Sequence, residues 1–366
     1  MTNKKLTPTG KKPTAKLTRM QALGKELQKS YGARAAVMGS EKPPLDVIST
    51  GSLALDFELG TGGWPRGHAS GVWGKRDIGK SVIALRAVAN AQAQGLNCAW
   101  IAVEPTFDAE WAQMHGVDTD DLLVLFPKTG EDAFHMLYQC IDYEADMVVF
   151  DSIGALLGET EIGEEANARS GGQAALITWG MKMCVPAAYH ANTALMMLNQ
   201  QRADRNARYA GAMQQPGGEA LEHLEAIIMH LKAGGTAFKI KQRGQDVEIG
   251  KPVLAHIQRN KLSQGSSRKA TYDMYYMETE NYPFGIDLVA DAINTGKRTG
   301  VIGTAGAYFD LPLPNGETKR VQGALAVAQS MADDPTIYDE VRKQVLAVMA
   351  EKYGKAENLA KPLEVA

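Results

Sequence analysis

Apolar residues in this chain follow two rhythms. From about residue 45 to 265, short runs that are apolar at nearly every position alternate with stretches apolar at every third or fourth position. The runs at 68–73, 98–104, 122–126, 147–151, 193–199, 225–232 and 253–258 predict strands. Near-continuous apolar runs mark strands buried on both faces of a parallel sheet. The stretches at 80–94, 131–144 and 174–190 predict the helices between them. This alternation predicts an α/β fold with a largely parallel sheet. The last strands, extended by 268–277, follow one another without helices and are expected to pair antiparallel.

Both ends of the chain have a different texture. Residues 1–16 are rich in Lys, Thr and Pro and are expected to be disordered. Leu17, Met20, Leu23, Leu27 and Tyr31 then recur at helical spacing. They predict a short amphipathic helix at 17–31, packed on its own core or docked on a neighbour. Pro43-Pro44 breaks the chain and marks a linker. Residues 285–350 predict a small α/β module: a helix near 285–299, a short segment at 308–311, and helices near 321–332 and 336–353. Three domains are therefore expected, at 1–44, 45–280 and 281–366.

Composition adds a bound and an asymmetry. With 366 residues, 45% hydrophobic and 22% charged, the chain can bury a sizeable core. Net charge is -3, yet residues 1–40 hold nine Lys or Arg against one acid, Glu26. A basic arm of this kind meets nucleic acid or an acidic neighbour, or is a solvated tail. Cys98, Cys140 and Cys184 are far apart, with no metal-ligand or CxxC spacing, and are expected to be buried free thiols. No apolar run approaches the roughly 18–20 residues of a membrane span, and no apolar leader is visible. No membrane contact and a cytoplasmic location are the expectation.

The chemistry begins at Gly74-Lys75-Arg76-Asp77-Ile78-Gly79-Lys80-Ser81, which matches GxxxxGK[ST], the P-loop. A predicted strand precedes it and a predicted helix follows, as the motif requires. Such a loop turns backbone N–H groups around phosphates, and the helix adds the positive end of its dipole. Lys80 would reach the β- and γ-phosphates of ATP, and Ser81 would give a hydroxyl to Mg²⁺. Met147-Val148-Val149-Phe150-Asp151 is an apolar run ending in a carboxylate, the Walker B pattern, so Asp151 is the second expected Mg²⁺ group. Ser152 could cap the following turn. Glu104 is expected to end its strand at the nucleotide crevice, where a carboxylate can polarise the attacking water.

Beyond these motifs the chain resembles the RecA family. The resemblance is carried by Val47-Ile48-Ser49-Thr50-Gly51-Ser52-Leu53-Ala54-Leu55-Asp56, by Gly62-Gly63-Trp64-Pro65-Arg66-Gly67, by the Glu104 to Asp108 stretch and by Asn199-Gln200-Gln201-Arg202. It covers about residues 17 to 350, in the order and spacing of the bacterial-type recombinase. It implies a RecA-like P-loop NTPase core with a mostly parallel central sheet, an N-terminal helix and a small C-terminal α/β module. It implies an ATP-dependent protein that forms helical filaments on single-stranded DNA and pairs it with homologous duplex DNA. By the same resemblance, Glu104 is the catalytic base and Gln200 the γ-phosphate sensor. Trp111 and Asp108 flank the adenine, and Arg259 and Lys261 reach the ATP of the adjacent subunit. The 17–31 helix docks on that subunit.

Two segments are expected to be DNA-binding loops. One, at 159–172, is rich in Gly, Glu and Ala and carries Arg169. The other, at 202–218, carries Arg202, Arg205, Arg208, Tyr209 and Met213, has Asp204 as its only acid, and leaves through Gly217-Gly218. Cations around an aromatic suit a single-strand binder. Because this loop starts just after Gln200, a phosphate contact there could order it.

Three features depart from the family pattern. The P-loop interior, Lys75-Arg76-Asp77-Ile78, is charged and bulky. Pro105 follows Glu104 where the family commonly has His. The segment after Glu351 balances acids and lysines, so regulation by an acidic tail is not expected, and a divergent member, for example a viral one, is suggested. Two competing readings share the core: a hexameric ring motor, and a nucleotide-regulated single-strand scaffold with weak hydrolysis.

Overall fold

The computed structural model describes residues 18–41, 45–157, 171–203, 213–242, 244–263, 268–279 and 282–353. The chain divides into two compact units, 1–44 and 45–366. In the first, α1 (Arg19–Tyr31) starts at a capping box: Gln21 N–H donates to Thr18 Oγ1 at 3.2 Å, and Thr18 N–H to Gln21 Oε1 at 2.8 Å. None of its residues is buried.

The second unit is built on one large sheet. Among the described residues, its strands run Gly285–Ile286, Arg268–Tyr275, Gln245–Asn260, Ile227–Ala233, Ala69–Gly74, Ala194–Gln200, Met147–Asp151, Cys98–Ala102 and Leu122–Leu125, with Phe238–Gln242 on Gln245–Asn260. The six strands from Ile227–Ala233 to Leu122–Leu125 are parallel. The others pair antiparallel, as their direct succession in sequence implied. Helices α2 (Leu53–Leu59), α3 (Lys80–Gln92), α4 (Ala109–Met114), α5 (Gly130–Asp142), α6 (Gly171–Ala191) and α7 (Gly218–Leu224) accompany this sheet.

Two cores lie on its two faces. Met147 and Val149 join Ile83 and Val88 of α3, while Val148 and Phe150 join Phe134 of α5 and Ile177 of α6. Both faces are covered, which is why residues 147–150 are apolar at every position. A third cluster joins Leu53 and Phe57 of α2 to the C-terminal helices α8 (Leu288–Thr299), α9 (Ala324–Asp333) and α10 (Pro335–Tyr353). Between α8 and α9 lies a small antiparallel sheet of Gly303–Ala305, Tyr308–Pro312 and Thr318–Gln322. Cys98, Cys140 and Cys184 are free and buried. Among the described residues no helix is long and apolar enough to cross a membrane.

Candidate functional site

The P-loop follows the central strand Ala69–Gly74, which lies between Ala194–Gln200 and Ile227–Ala233 and is buried throughout. Asp77 and Gly79 take positive φ, 59° and 100°. Gly79 is the N-cap of α3 and supplies no side-chain acceptor, so the first N–H groups of that helix are left open to an anion. Lys80 Nζ lies across the loop, donating to the Lys75 carbonyl at 3.0 Å and the Gly74 carbonyl at 3.4 Å. Burial lowers the Lys80 pKa, opposed by Asp151, Asp77 and Glu104. Lys251, not anticipated from sequence, donates to the Asp77 carbonyl at 2.6 Å. Within the unusual interior, Lys75, Arg76 and Asp77 are exposed, whereas Ile78 is buried in the core beside α3. Its bulk therefore packs into the core.

Asp151 ends its strand beside this loop, and Ser81 Oγ donates to its Oδ2 at 3.4 Å. Burial and then Glu104 push the Asp151 pKa up to about 6, against Lys80 and Ser81. A hydroxyl and a carboxylate, both hard oxygen donors, fit Mg²⁺, whose remaining ligands in nucleotide sites are phosphate oxygens and water. Glu104 does not end its strand, which stops at Ala102. It stands two residues beyond, where the chain has left the ladder, and accepts from Gln200 Nε2 at 3.2 Å and Ser152 Oγ at 3.4 Å. Ser152 caps no turn with its side chain. Gln200 pairs in register with Gly74, and Gln201 N–H donates to the Gly74 carbonyl at 3.1 Å, so Gln200 and the P-loop share one ladder.

Ser81, Glu104, Thr106, Asp108, Trp111 and Asp151 line one cleft of about 230 Å³. Asp108 N-caps α4 by accepting from Trp111 N–H at 3.0 Å. The half-buried Trp111 ring meets His115 and Phe284 edge-on, at 4.9 and 5.1 Å between centroids.

The 202–218 segment is not structureless at its ends. Arg202–Ala203 pairs antiparallel with Met213–Gln214, and Gly218 begins α7. Gly217 has φ 120°, and a Cβ there would lie 2.7 Å from Leu221, so glycine is required at this exit. Arg202 donates to the Gly154 carbonyl at 2.9 Å, and Asn199 to the Pro216 carbonyl at 2.7 Å. The first bond ties the base of this segment to the turn after Asp151, and the second ties its exit to the strand Ala194–Gln200. Met213 is exposed. Arg169, Arg205, Arg208 and Tyr209 lie outside the described residues.

Arg259 and Lys261 stand away from the cleft. Arg259 donates to the Glu222 carbonyl at 2.6 Å and Lys261 to the His223 carbonyl, so both cations sit on the C-terminal end of α7. Beside them is Glu225, which the sequence marks only as the head of a strand. It is buried, accepts from Gln215 Nε2 at 3.0 Å, and fills the space where a Cβ on Gly71 would be, 2.2 Å from its Oε1. Burial pushes its pKa up to about 8, against Gln215, Arg259 and Lys261. The signal in sequence was faint: one acid, Glu225, ahead of an apolar run.

A parallel sheet flanked by helices, with a P-loop on its central strand, defines a P-loop protein with a RecA-like core. Comparison with known proteins narrows the class. The family model described as RecA N-terminal domain matches residues 18–280. The RecA protein of Thermus thermophilus is 33% identical over 326 residues, 88% of this chain and 92% of its own. That of Chlorobium chlorochromatii is 30% identical over 358 residues, 96% of each chain. That of Acidothermus cellulolyticus is 32% identical over 344 residues, 93% and 94% of the two. The chain belongs to the RecA family.

Proposed function

We propose that this protein is an ATP-dependent recombinase that polymerises on single-stranded DNA and exchanges strands with homologous duplex DNA. Membership of the RecA family, a family of DNA-dependent ATPases that use ATP and Mg²⁺, supports the reading. The observation that carries it is the position of Gln200: it hydrogen-bonds Glu104 at 3.2 Å, and two residues later the chain enters the hairpin that leads into the basic 204–212 segment.

In this reading the P-loop N–H groups and Lys80 hold the phosphates, and Ser81 and Asp151 hold Mg²⁺. Trp111 and Asp108 bound the base. Glu104 orients water. Gln200 exchanges its bond to Glu104 for one to the terminal phosphate and moves the hairpin at Arg202, an order–disorder device of the kind other P-loop proteins use. Arg205, Arg208 and Tyr209, with Arg169 from the 159–172 segment, contact the strand. Arg259 and Lys261 leave the α7 carbonyls for the neighbouring protomer's nucleotide, and α1 docks on that protomer. ATP is thereby read as DNA affinity. Strand exchange is nearly balanced in energy, so base pairing does the selecting. Residues 45–280 form the ATPase and 281–366 an accessory module.

A strand-exchange assay with labelled circular single strand and homologous linear duplex tests this. Joint molecules are expected with ATP and homology together. Their absence under conditions where the protein binds both ATP and single-stranded DNA contradicts it.

A further inference from the structure

A second cavity, of about 550 Å³, lies where α3 and the end of α4 meet the first turns of α8 and α10. Its volume is that of a small-molecule site. Neither Ser81 nor Asp151 reaches it. One wall is apolar, with Phe284, Leu288, Met331 and Pro335; the other carries Arg86, His115, Asp56 and Arg342.

Donors and acceptors on the polar wall do not balance. Asp56 accepts from Ser49 Oγ at 2.6 Å on one oxygen and from Thr50 N–H at 2.8 Å on the other. Asp287, at the rim, accepts from Ala290 N–H at 2.8 Å as the cap of α8. Asn90 donates its amide to the Ser49 carbonyl at 3.1 Å. Against these engaged groups, Arg86 gives Nη1 to the His115 carbonyl at 3.2 Å and keeps a buried Nε with no partner. His115 is 2% exposed, and its Nε2 is likewise buried without a partner. Burial and then Arg86 hold the His115 pKa down to about 4, so the ring is neutral and offers an Nε2–H donor in one tautomer. A guanidinium cannot shed its charge, and a buried donor left without a partner pays its full desolvation cost. The partner missing from Arg86 is an acceptor, and the Nε2–H tautomer of His115 would donate to the same group.

We propose that this cavity binds a small organic anion, its oxyanion against Arg86 and His115 and its apolar body against Phe284 and Met331. The site touches the nucleotide cleft through two elements. Arg86 is on α3, which begins with Lys80 and Ser81. His115 follows α4, whose Trp111 lines the nucleotide cleft and packs on both His115 and Phe284. These two elements are the route by which occupancy of one site would change affinity at the other, and any such change is equal in both directions.

The test is fluorescence titration of the full chain with 1-anilinonaphthalene-8-sulfonate, an aromatic sulfonate of the required chemistry. It is run with and without saturating Mg·ATP. The expected result is saturable binding of one dye per chain that ATP does not displace. Arg86→Gln removes the charge. Ala332→Trp plugs the mouth from an exposed position on α9 and leaves both arginines in place. Each is expected to weaken the dye at least tenfold. If Arg86→Gln does not fold, Ala332→Trp decides. Unchanged affinity in either folded variant, displacement by ATP one for one, or no saturable binding overturns the proposal.

Discussion

Gln200 Nε2 donates to Glu104 Oε1 at 3.2 Å, joining the end of one strand to a carboxylate that lies past the end of another. The carboxylate is at the cleft of Ser81 and Asp151, and the amide is two residues from the Arg202 hairpin. One hydrogen bond thus connects Glu104, the water-orienting carboxylate of the proposal, with the base of the basic segment. Gln200→Ala is expected to abolish the difference in single-strand affinity between ATP and ADP states, read by fluorescence anisotropy. Retention of that difference removes Gln200 from the coupling.

Glu104→Gln keeps the shape and loses the charge. Turnover is expected to fall by about 10²–10⁴, the usual contribution of a positioned base, while binding of a fluorescent ATP analogue persists. Lys80→Ala is expected to weaken that analogue at least tenfold, about 1.4 kcal/mol. Wild-type nucleotide affinity in Lys80→Ala contradicts the P-loop assignment.

Glu225 gives a pH prediction. Burial raises its folded-state pKa to about 8. Between the ordinary carboxylate range and about 8, the folded state holds a proton that the unfolded state has lost. Stability therefore falls as pH rises through this window, by up to about 1.4 kcal/mol per pH unit. Below the window the group is protonated in both states and contributes no slope. Glu225→Gln fits the same space beside Gly71 and removes the slope, so its stability advantage over the wild type grows from pH 5.5 to 7.5. Urea denaturation at the two pH values measures it; parallel pH profiles contradict the prediction.

Much of the fold was legible because both faces of the sheet are covered. Met147–Asp151 is apolar up to its final carboxylate, so its bounds are legible in the sequence. Elements without a polar–apolar contrast were not. Every residue of α2 (Leu53–Leu59) is buried, and its seven residues make two turns, too few for periodicity to emerge. Thr318–Gln322 is mostly exposed, so nothing in its composition marks a strand. The run at 253–258 is the inner part of Gln245–Asn260, whose residues 245–248 pair with a polar hairpin arm, Phe238–Gln242. In the site, motif order located Lys80, Ser81 and Asp151. Lys251 and Glu225 act through contacts 174 and 10 residues away in sequence. No local pattern announces such pairs.

The basic segment predicts a salt effect. Arg208→Ala combined with Tyr209→Ala is expected to weaken single-strand binding. The double change should flatten the dependence of log K on log salt by about 0.7 for the lost phosphate contact. Base stacking adds roughly 1–3 kcal/mol to the loss. Unchanged affinity and slope would place DNA elsewhere.

The most direct measurement is ATP hydrolysis with and without single-stranded DNA, with electron microscopy of the same samples. The account predicts turnover stimulated by DNA, together with open helical filaments. Closed rings, or filaments whose turnover DNA does not change, contradict it.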